Sequence, residues 1–396
     1  MPTVVVPDVR RALAELARYR LRPPAGCTVT GVTGSTGKTT TKDLLAQILA
    51  SRAATVSSPL SHNNEIGLPL TVVNAPTGTR HLILEMGARR IGDIAHLTGI
   101  ARPTIGVVTN TGTAHLGVFG SRDAIRRTKA ELVRPLPADG TAVLNADDPA
   151  TAAMTGLTRA RVLTYGRARA TGGPDLAVSQ VRLDDLARPA FRLTLDGRSE
   201  RVSLALHGVH QVANAAASAA AAIAAGTDLS DVARALNTAR AVTPSRMCVT
   251  RLPDGPVLVN DAFNANPDSM AAALHALRAM TGPRGRSVAV LGEMYELGPE
   301  SAALHRRLGR RLATAGIDRA ITVGGDLAGA VAEGAALGGA LVERVATPSD
   351  ALNLLAGLRY GPGPGLGPAD VVLVKGSRAT GVEEVATRFL KEYSHG

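Results

Sequence analysis

Thr33-Gly34-Ser35-Thr36-Gly37-Lys38-Thr39-Thr40, directly behind the apolar run 27–32, constrains this chain more than any other stretch. An apolar run, a glycine loop and a helix-forming segment in that order specify strand, tight turn and helix start, the unit from which open parallel sheets are built. Glycines without a Cβ let backbone N–H groups close on phosphate oxygens; Lys38 reaches the outer phosphates and Thr39 offers a hydroxyl to Mg²⁺. A helix over 40–50 turns the positive end of its dipole toward the same anion. The general phosphate loop G-x-x-x-x-G-K-[ST] needs glycine at position 32, where this chain has Val32. A glycine turn that merely precedes Lys-Thr is the bland alternative. The expectation is a nucleoside triphosphate site formed by Gly34, Ser35, Thr36, Gly37, Lys38, Thr39 and Thr40.

At 396 residues the chain suits two or three domains. Aromatic residues make up 2% and tryptophan is absent, which argues against stacking-based recognition of single-stranded nucleic acid. The net charge of +11 favours anionic substrates such as ATP. Its arginines are scattered (Arg89, Arg90, Arg126, Arg127, Arg306, Arg307, Arg310, Arg311) instead of gathered in one dense tract, so no nucleic-acid partner is expected. Cys27 and Cys248 fit no CxxC spacing and read as reduced core thiols. The most apolar long segment, 213–225, is shorter than the ~20 residues that a bilayer span needs. Neither a membrane span nor a signal peptide is expected, and a cytoplasmic location follows; the oligomeric state stays open.

A short valine run and a helical apolar pattern at Leu13, Leu16 and Tyr19 occupy residues 3–22, closed by Pro23-Pro24. From residue 28 strands (82–86, 104–109, 141–145) alternate with helices (121–133, 209–225), which predicts a mainly parallel sheet covered by helices. Polar–apolar alternation at 178–183, 192–195 and 201–206 predicts an antiparallel insert on the sheet's edge. Regularity breaks at 237–244, and new strands (257–261, 287–291, 319–323, 370–374) with helices (269–280, 300–315) follow. The expected fold class is α/β: a central phosphate-loop domain with a mainly parallel sheet (26–242) and a C-terminal Rossmann-like α/β domain (243–396), with residues 1–25 as a leading segment. The stretch 361–368 reads as a Gly-Pro loop of low complexity.

Ten blocks stand in a fixed order: TGSTGKTTTK (33–42), NNEIGLPLT (63–71), LEMGARRIGDIAHLT (84–98), NTGTAHLGVFGS (110–121), KAEL (129–132), LNADDP (144–149), HGVHQVANAAAS (207–218), NDAFNANPDSM (260–270), LGEMYELG (291–298) and VKGSRATGVEEV (374–385). The ordered set resembles the Mur ligases, most closely the branch that adds D-alanyl-D-alanine to the peptidoglycan precursor. The family's loop is TGxxGKT, which accounts for Val32. The resemblance implies an ATP-dependent, ADP-forming ligase that converts a carboxylate into an acyl phosphate and lets an amine displace the phosphate. Carboxylate and triphosphate repel strongly at ~4 Å in a poorly solvated cleft, so cations must sit between them.

The resemblance assigns roles residue by residue. Lys38 is catalytic, and Thr39 and Glu85 hold a first Mg²⁺; from chemistry alone Glu85 could equally be a solvated carboxylate at a strand end. His115 and Lys129 serve a second Mg²⁺ near the substrate carboxylate, with Lys129 carbamylated by CO₂ so that an anionic oxygen replaces its charge. Softness makes histidine an uncommon Mg²⁺ ligand, so a satisfied loop histidine is the alternative for His115, and a surface lysine beside Arg126 and Arg127 for Lys129. Asn214 is placed on the adenine with His210 near the base (or else in a structural hydrogen bond), Arg246 on the γ-phosphate, and Asp261 on the ribose hydroxyls. Asn63, Asn64, Asn264, Asn266, Lys375, Ser377 and Arg378 are placed with the acid and amine substrates; an Asn turn cap for Asn63-Asn64 and a basic loop for 375–378 are the alternatives. Phe263 stands where the family normally has tyrosine.

Relatives acting on UDP-muramoyl peptides carry an additional nucleotide-holding domain ahead of the loop, whereas some thirty residues precede Thr33 here. These read as the last strand and helix of such a domain, packed on the central one. Small-molecule carboxylate and amine substrates are therefore expected, with a smaller acid lacking UDP as the leading expectation. The cell-wall reaction with a shortened start is the second expectation, and a non-catalytic nucleotide-binding regulator the third.

Overall fold

The computed structural model describes residues 3–22, 26–253, 255–360 and 365–394; Pro23-Pro24 and half of the 361–368 stretch lie outside them. In chain order the strands are β1 (Thr28–Thr33), β2 (Thr55–Ser57), β3 (His81–Glu85), β4 (Ile105–Val108), β5 (Thr141–Asn145), β6 (Arg161–Arg167), β7 (Leu176–Leu183), β8 (Pro189–Leu195), β9 (Arg198–Ser203), β10 (Cys248–Arg251), β11 (Val257–Asn260), β12 (Ser287–Gly292), β13 (Arg319–Val323), β14 (Val342–Val345) and β15 (Val371–Lys375). They form a nine-stranded sheet, β2-β3-β1-β4-β5-β6-β7-β8-β9, and a six-stranded sheet, β10-β11-β15-β12-β13-β14. This is the α/β class that the pattern predicts.

In the first sheet every pair from β2 to β7 is parallel. The strand feeding the phosphate loop, β1, lies between β3 and β4, and the ends of β1, β3 and β4 therefore open on one site, as doubly wound sheets require. The antiparallel β7-β8-β9 extension closes the far edge. Helix Gln211–Ala224 lies against the phosphate-loop helix Lys38–Ala50, with Ala215–Ala217 and Ala219–Ala222 fully buried. Alanine side chains let the two backbones approach, and Ser218 Oγ donates to Thr41 O at 2.8 Å across the gap.

The leading helix Val9–Arg20 is capped by Asp8, whose Oδ1 accepts from Arg11 N. Ala14 and Ala17 bury against helices Gly67–Val73 and Asp93–Ala101, and Arg20 Nη2 donates to Ala75 O at 2.9 Å. The valine run ahead of it corrects the sequence reading: Val4 and Val5 are exposed and belong to no strand. Both cysteines are free and half-buried; Cys27 packs against the core of the first domain, whereas Cys248 begins β10, an edge strand with one paired side.

The linker between the sheets is tied to the phosphate-loop helix. Gln47 exchanges two bonds with the backbone of Arg240 (Nε2 to O, 3.0 Å; Oε1 from N, 2.9 Å). Asp43 accepts from Thr243 Oγ1 at 2.6 Å while pairing with buried Lys42. Beyond the tether, Ser245 and Met247 adopt left-handed backbone (φ 55° and 52°).

In the second sheet β15 inserts between β11 and β12, so the last strand of the chain is central. Helices Ser301–Thr314 and Asp326–Ala336 cross with backbones touching: a Cβ on Gly309 would meet Val331 O at 2.0 Å, and one on Gly334 would meet Arg306 O at 2.0 Å. Gly334→Ala should therefore lower C-terminal-domain stability by about 1–3 kcal/mol, the usual cost of overpacking. Urea unfolding with a probe in that domain checks this; an unchanged midpoint would mean the helices separate freely.

Candidate active site

The loop geometry follows from two glycines. Gly34 (φ 151°) approaches Thr109 so closely that a Cβ would lie 1.9 Å from its Oγ1, and Gly37 (φ 80°) approaches Asn214 Oδ1, where a Cβ would lie at 2.2 Å. Any side chain at either position would push the loop off its supports. The segment after β4 is the main support. Asn110 Oδ1 accepts from the backbone N–H groups of Ser35 (3.2 Å) and Thr36 (3.0 Å), and Thr109 Oγ1 donates to Thr36 O (2.7 Å). Asn110 lies within one of the quoted blocks, but nothing in the sequence says that its carboxamide turns toward the loop.

A cavity of about 410 Å³ opens between the two sheets. Of the sequence-derived residues it is lined by Ser35, Thr36, Gly37, Lys38, Thr39, Thr40, Asn63, Glu85, His115, Lys129, Asn214, Arg246, Asp261, Asn264, Asn266 and Lys375. Four are not brought there. Gly34 contributes its carbonyl, which accepts from Lys38 Nζ at 2.8 Å. Asn64 Oδ1 accepts from Ile66 N and Gly67 N, the turn-cap role that its sequence context also allows. Ser377 Oγ accepts from Tyr295 N, and Arg378 opens a short 3₁₀ turn away from the cavity.

Glu85 ends β3, fully buried. Its Oε2 accepts from Thr39 Oγ1 (2.9 Å) and its Oε1 from Asn63 Nδ2 (2.8 Å). A hydroxyl and a carboxylate oxygen meeting at a phosphate loop are hard donors suited to Mg²⁺, which takes one or two protein carboxylates and completes its shell with phosphate and water. Among the described residues no group of three His, Cys, Asp or Glu side chains converges, so a metal here would draw its other ligands from substrate and solvent. Three cavity-lining residues, Ser35, His210 and Arg246, carry buried side-chain atoms without a hydrogen-bond partner (Oγ, Nδ1 and Nε). Such groups are costly unless a ligand meets them.

Lys129, near the end of helix Arg122–Ala130, is buried, not a surface lysine. Burial first and Lys38 second push its pKa down to about 7. Lys38 is pushed down as well, by burial, with Glu85 opposing. His115 is left-handed (φ 59°), and its Nδ1 engages Glu296 of the opposite sheet's loop. Arg246 stacks over Phe263 at 4.1 Å and reaches Ser61 Oγ at 3.4 Å. Lys375, the buried end of β15, donates to Asp261 Oδ2 at 2.6 Å, so the residues assigned to amine and ribose form one pair. Asp268 accepts from Thr113 N and Oγ1, both at 2.9 Å, across the interface. Asn214 Nδ2 donates to Gln211 Oε1 at 2.8 Å.

Two family models match the chain: the Mur ligase middle domain over residues 32–222, and the "Mur ligase, glutamate ligase domain" over 245–378. UDP-N-acetylmuramoyl-tripeptide–D-alanyl-D-alanine ligase of Mycobacterium tuberculosis is 47% identical over 386 residues, covering 94% of this chain and 74% of that protein. The enzyme of the same name from Escherichia coli is 32% identical, covering 99% and 83%. Among solved structures, MurF from Acinetobacter baumannii superposes with a TM-score of 0.88 at 32% identity, covering 98% of this chain and 82% of that one. MurF ligase from Thermotoga maritima in complex with ADP gives 0.84 at 30%, covering 100% and 88%. The chain belongs to the Mur ligase family. Within it, this is an ATP-dependent, ADP-forming amide ligase of the MurF type, and it uses Mg²⁺ as the family does.

Among the described residues no helix is long and apolar enough to cross a membrane. His210, against the cavity, is pushed down to about 4 from an ordinary 6.5, by burial first, with Asp261 opposing. Its folded pKa lies below the unfolded one, so the unfolded chain takes the proton first as pH falls. Stability should be complete above pH 6.5 and decline toward pH 4. Thermal melts of wild type and His210→Gln across this window check it: the variant's curve should be flatter. Parallel curves would place the titration elsewhere.

Proposed function

We propose that the chain joins D-alanyl-D-alanine to a UDP-N-acetylmuramoyl-tripeptide, with ATP as the driving reagent. One geometric observation carries the chemistry: the phosphate loop, Glu85 and Lys129 of one domain face Arg246 and Lys375 of the other across a single cavity. Kinship supports the substrates, since the mycobacterial relative of that name shares 47% identity over 94% of this chain. In the first step a carboxylate oxygen attacks the γ-phosphorus and ADP departs. In the second the amine nitrogen attacks the acyl carbon, phosphate leaves, and the nitrogen loses a proton.

Each residue has a physical task. Lys38 and Arg246 offset the negative charge of the phosphates; Lys38 spends one of its three N–H donors on Gly34 O and keeps two for phosphate oxygens. Asn214 and His210 face the base. Asp261 is assigned to the ribose, held in place by Lys375. Asn264 and Asn266 stand on the amine side, Asn63 on the acid side. Thr39 and Glu85 would hold one Mg²⁺; His115 and a carbamylated Lys129 would hold a second, and such ions lower the repulsion between the two anions. A lysine with a pKa about 7 is about half free amine near neutrality, far more than an ordinary lysine, and the free amine is the form that reacts with CO₂. Small-molecule substrates are thereby the partners, and ATP supply suits a cytoplasmic site.

The decisive assay supplies ATP, Mg²⁺, D-alanyl-D-alanine and either the UDP-linked tripeptide or small acids without UDP, reading phosphate release and product mass. Turnover with the UDP-linked tripeptide is expected. Turnover confined to a small acid would replace this reading with the specialised one. Lys38→Ala should reduce kcat by about 10²–10³-fold. Lys129→Ala should also cripple turnover and regain part of it with a short carboxylic acid added; a variant as fast as wild type would remove Lys129 from the mechanism.

A further inference from the structure

Glu296 adopts left-handed backbone (φ 61°) in the loop that follows β12. Its Oε2 engages His115 Nδ1, its Oε1 lies 3.2 Å from Arg89 Nη2, and its carbonyl accepts from Gly117 N at 3.1 Å. All three partners belong to the other sheet's domain. Beside them Gly298 and Gly117 touch: a Cβ on Gly117 would meet Gly298 N at 2.1 Å. The loop is also held at its base. Fully buried His305 accepts from Met294 N at 2.9 Å while its Nδ1 donates to Ser301 O at 2.7 Å, and Tyr295 N donates to Ser377 Oγ at 3.0 Å. A left-handed residue thus meets left-handed His115 from a fixed platform, and strain at non-glycine residues persists where the surroundings over-determine it.

With Nδ1 taken by the carboxylate, Nε2 of His115 has no hydrogen-bond partner among the described residues, and the ring lines the cavity with Lys38 and Lys129. A carboxylate on one ring nitrogen fixes the tautomer, holds the ring plane and makes the other nitrogen a better donor to a cation. We propose that Glu296 is the positioning residue of His115, carried in from the opposite domain so that closure itself aims the imidazole into the cleft. The site is then assembled from two domains at the level of a single ring. This deepens the second cation position proposed above and rests on it.

The test uses the full chain with a non-hydrolysable ATP analogue and Mn²⁺ as the probe, titrated by electron paramagnetic resonance, with small-angle scattering on the same samples. Wild type should bind two Mn²⁺. Glu296→Ala should weaken the second by about 10–100-fold without an increase in radius of gyration, and Glu296→Gln, which keeps an acceptor, should recover most of the loss. Two ions at wild-type affinity in Glu296→Ala would overturn the inference alone. Weakening accompanied by an expanded molecule would reduce the residue to interdomain cement and overturn it too. Equal loss in Glu296→Gln would transfer the effect from ring orientation to charge, again against it. A single Mn²⁺ in wild type would remove the second cation position itself, and this inference with it.

Discussion

Positive charge held out of bulk water around one cleft is the constraint that the architecture serves. Lys38, Lys129, Arg246 and Lys375 all line the cavity, and burial lowers the pKa of the first three. Unpaired, such groups would cost several kcal/mol each. The fold meets this partly from within, through Glu85 and through Asp261 against Lys375. The remainder is a standing preference for anions, which nucleotide and acid supply. That preference explains why cations come from both domains: neither domain alone has to hold the whole positive cluster together.

The supports around the cleft follow the same logic. Asn110 and Thr109 shape the phosphate loop through backbone contacts, so the loop needs no ligand to keep its turn. Asn63 and Thr39 each donate to one oxygen of Glu85 and so fix the orientation of its carboxylate. Polar groups that lack partners, Ser35 Oγ, His210 Nδ1 and Arg246 Nε, cluster at this cavity's wall, where a nucleotide can satisfy them.

Much of this was legible in the amino-acid sequence, and the gaps have physical causes. The phosphate loop and β1 announced themselves through glycine spacing, and the alternation of β-branched runs with helical patterns gave the class of fold. β2 and β14 escaped because three- and four-residue edge strands with mixed polarity carry little periodic signal. The valine run at 4–6 looked like a strand because β-propensity reports side-chain fit, not the existence of a neighbouring edge. In the cleft, residues tied to a local motif could be read, among them Lys38, Thr39 and Glu85. Residues that matter through a partner far away in the chain could not: Asp268 meets Thr113, and Glu296 meets His115, across separations of 155 and 181 residues. For Lys129 the arginines beside it left a surface lysine as the alternative to the role that the resemblance implied, and the helix turns it inward.

The tether between Gln47, Asp43 and the linker has a mechanical consequence. Because the segment through Thr243 is clamped to the helix that begins in the phosphate loop, it cannot swing on its own. The first left-handed residues past that clamp are Ser245 and Met247, where a rotation of the C-terminal lobe would pivot. Arg246 stands between them and lines the cavity, so the residue at that pivot is also the one proposed above to meet the triphosphate, and a swing of the lobe would carry its guanidinium out of the cleft in the same stroke.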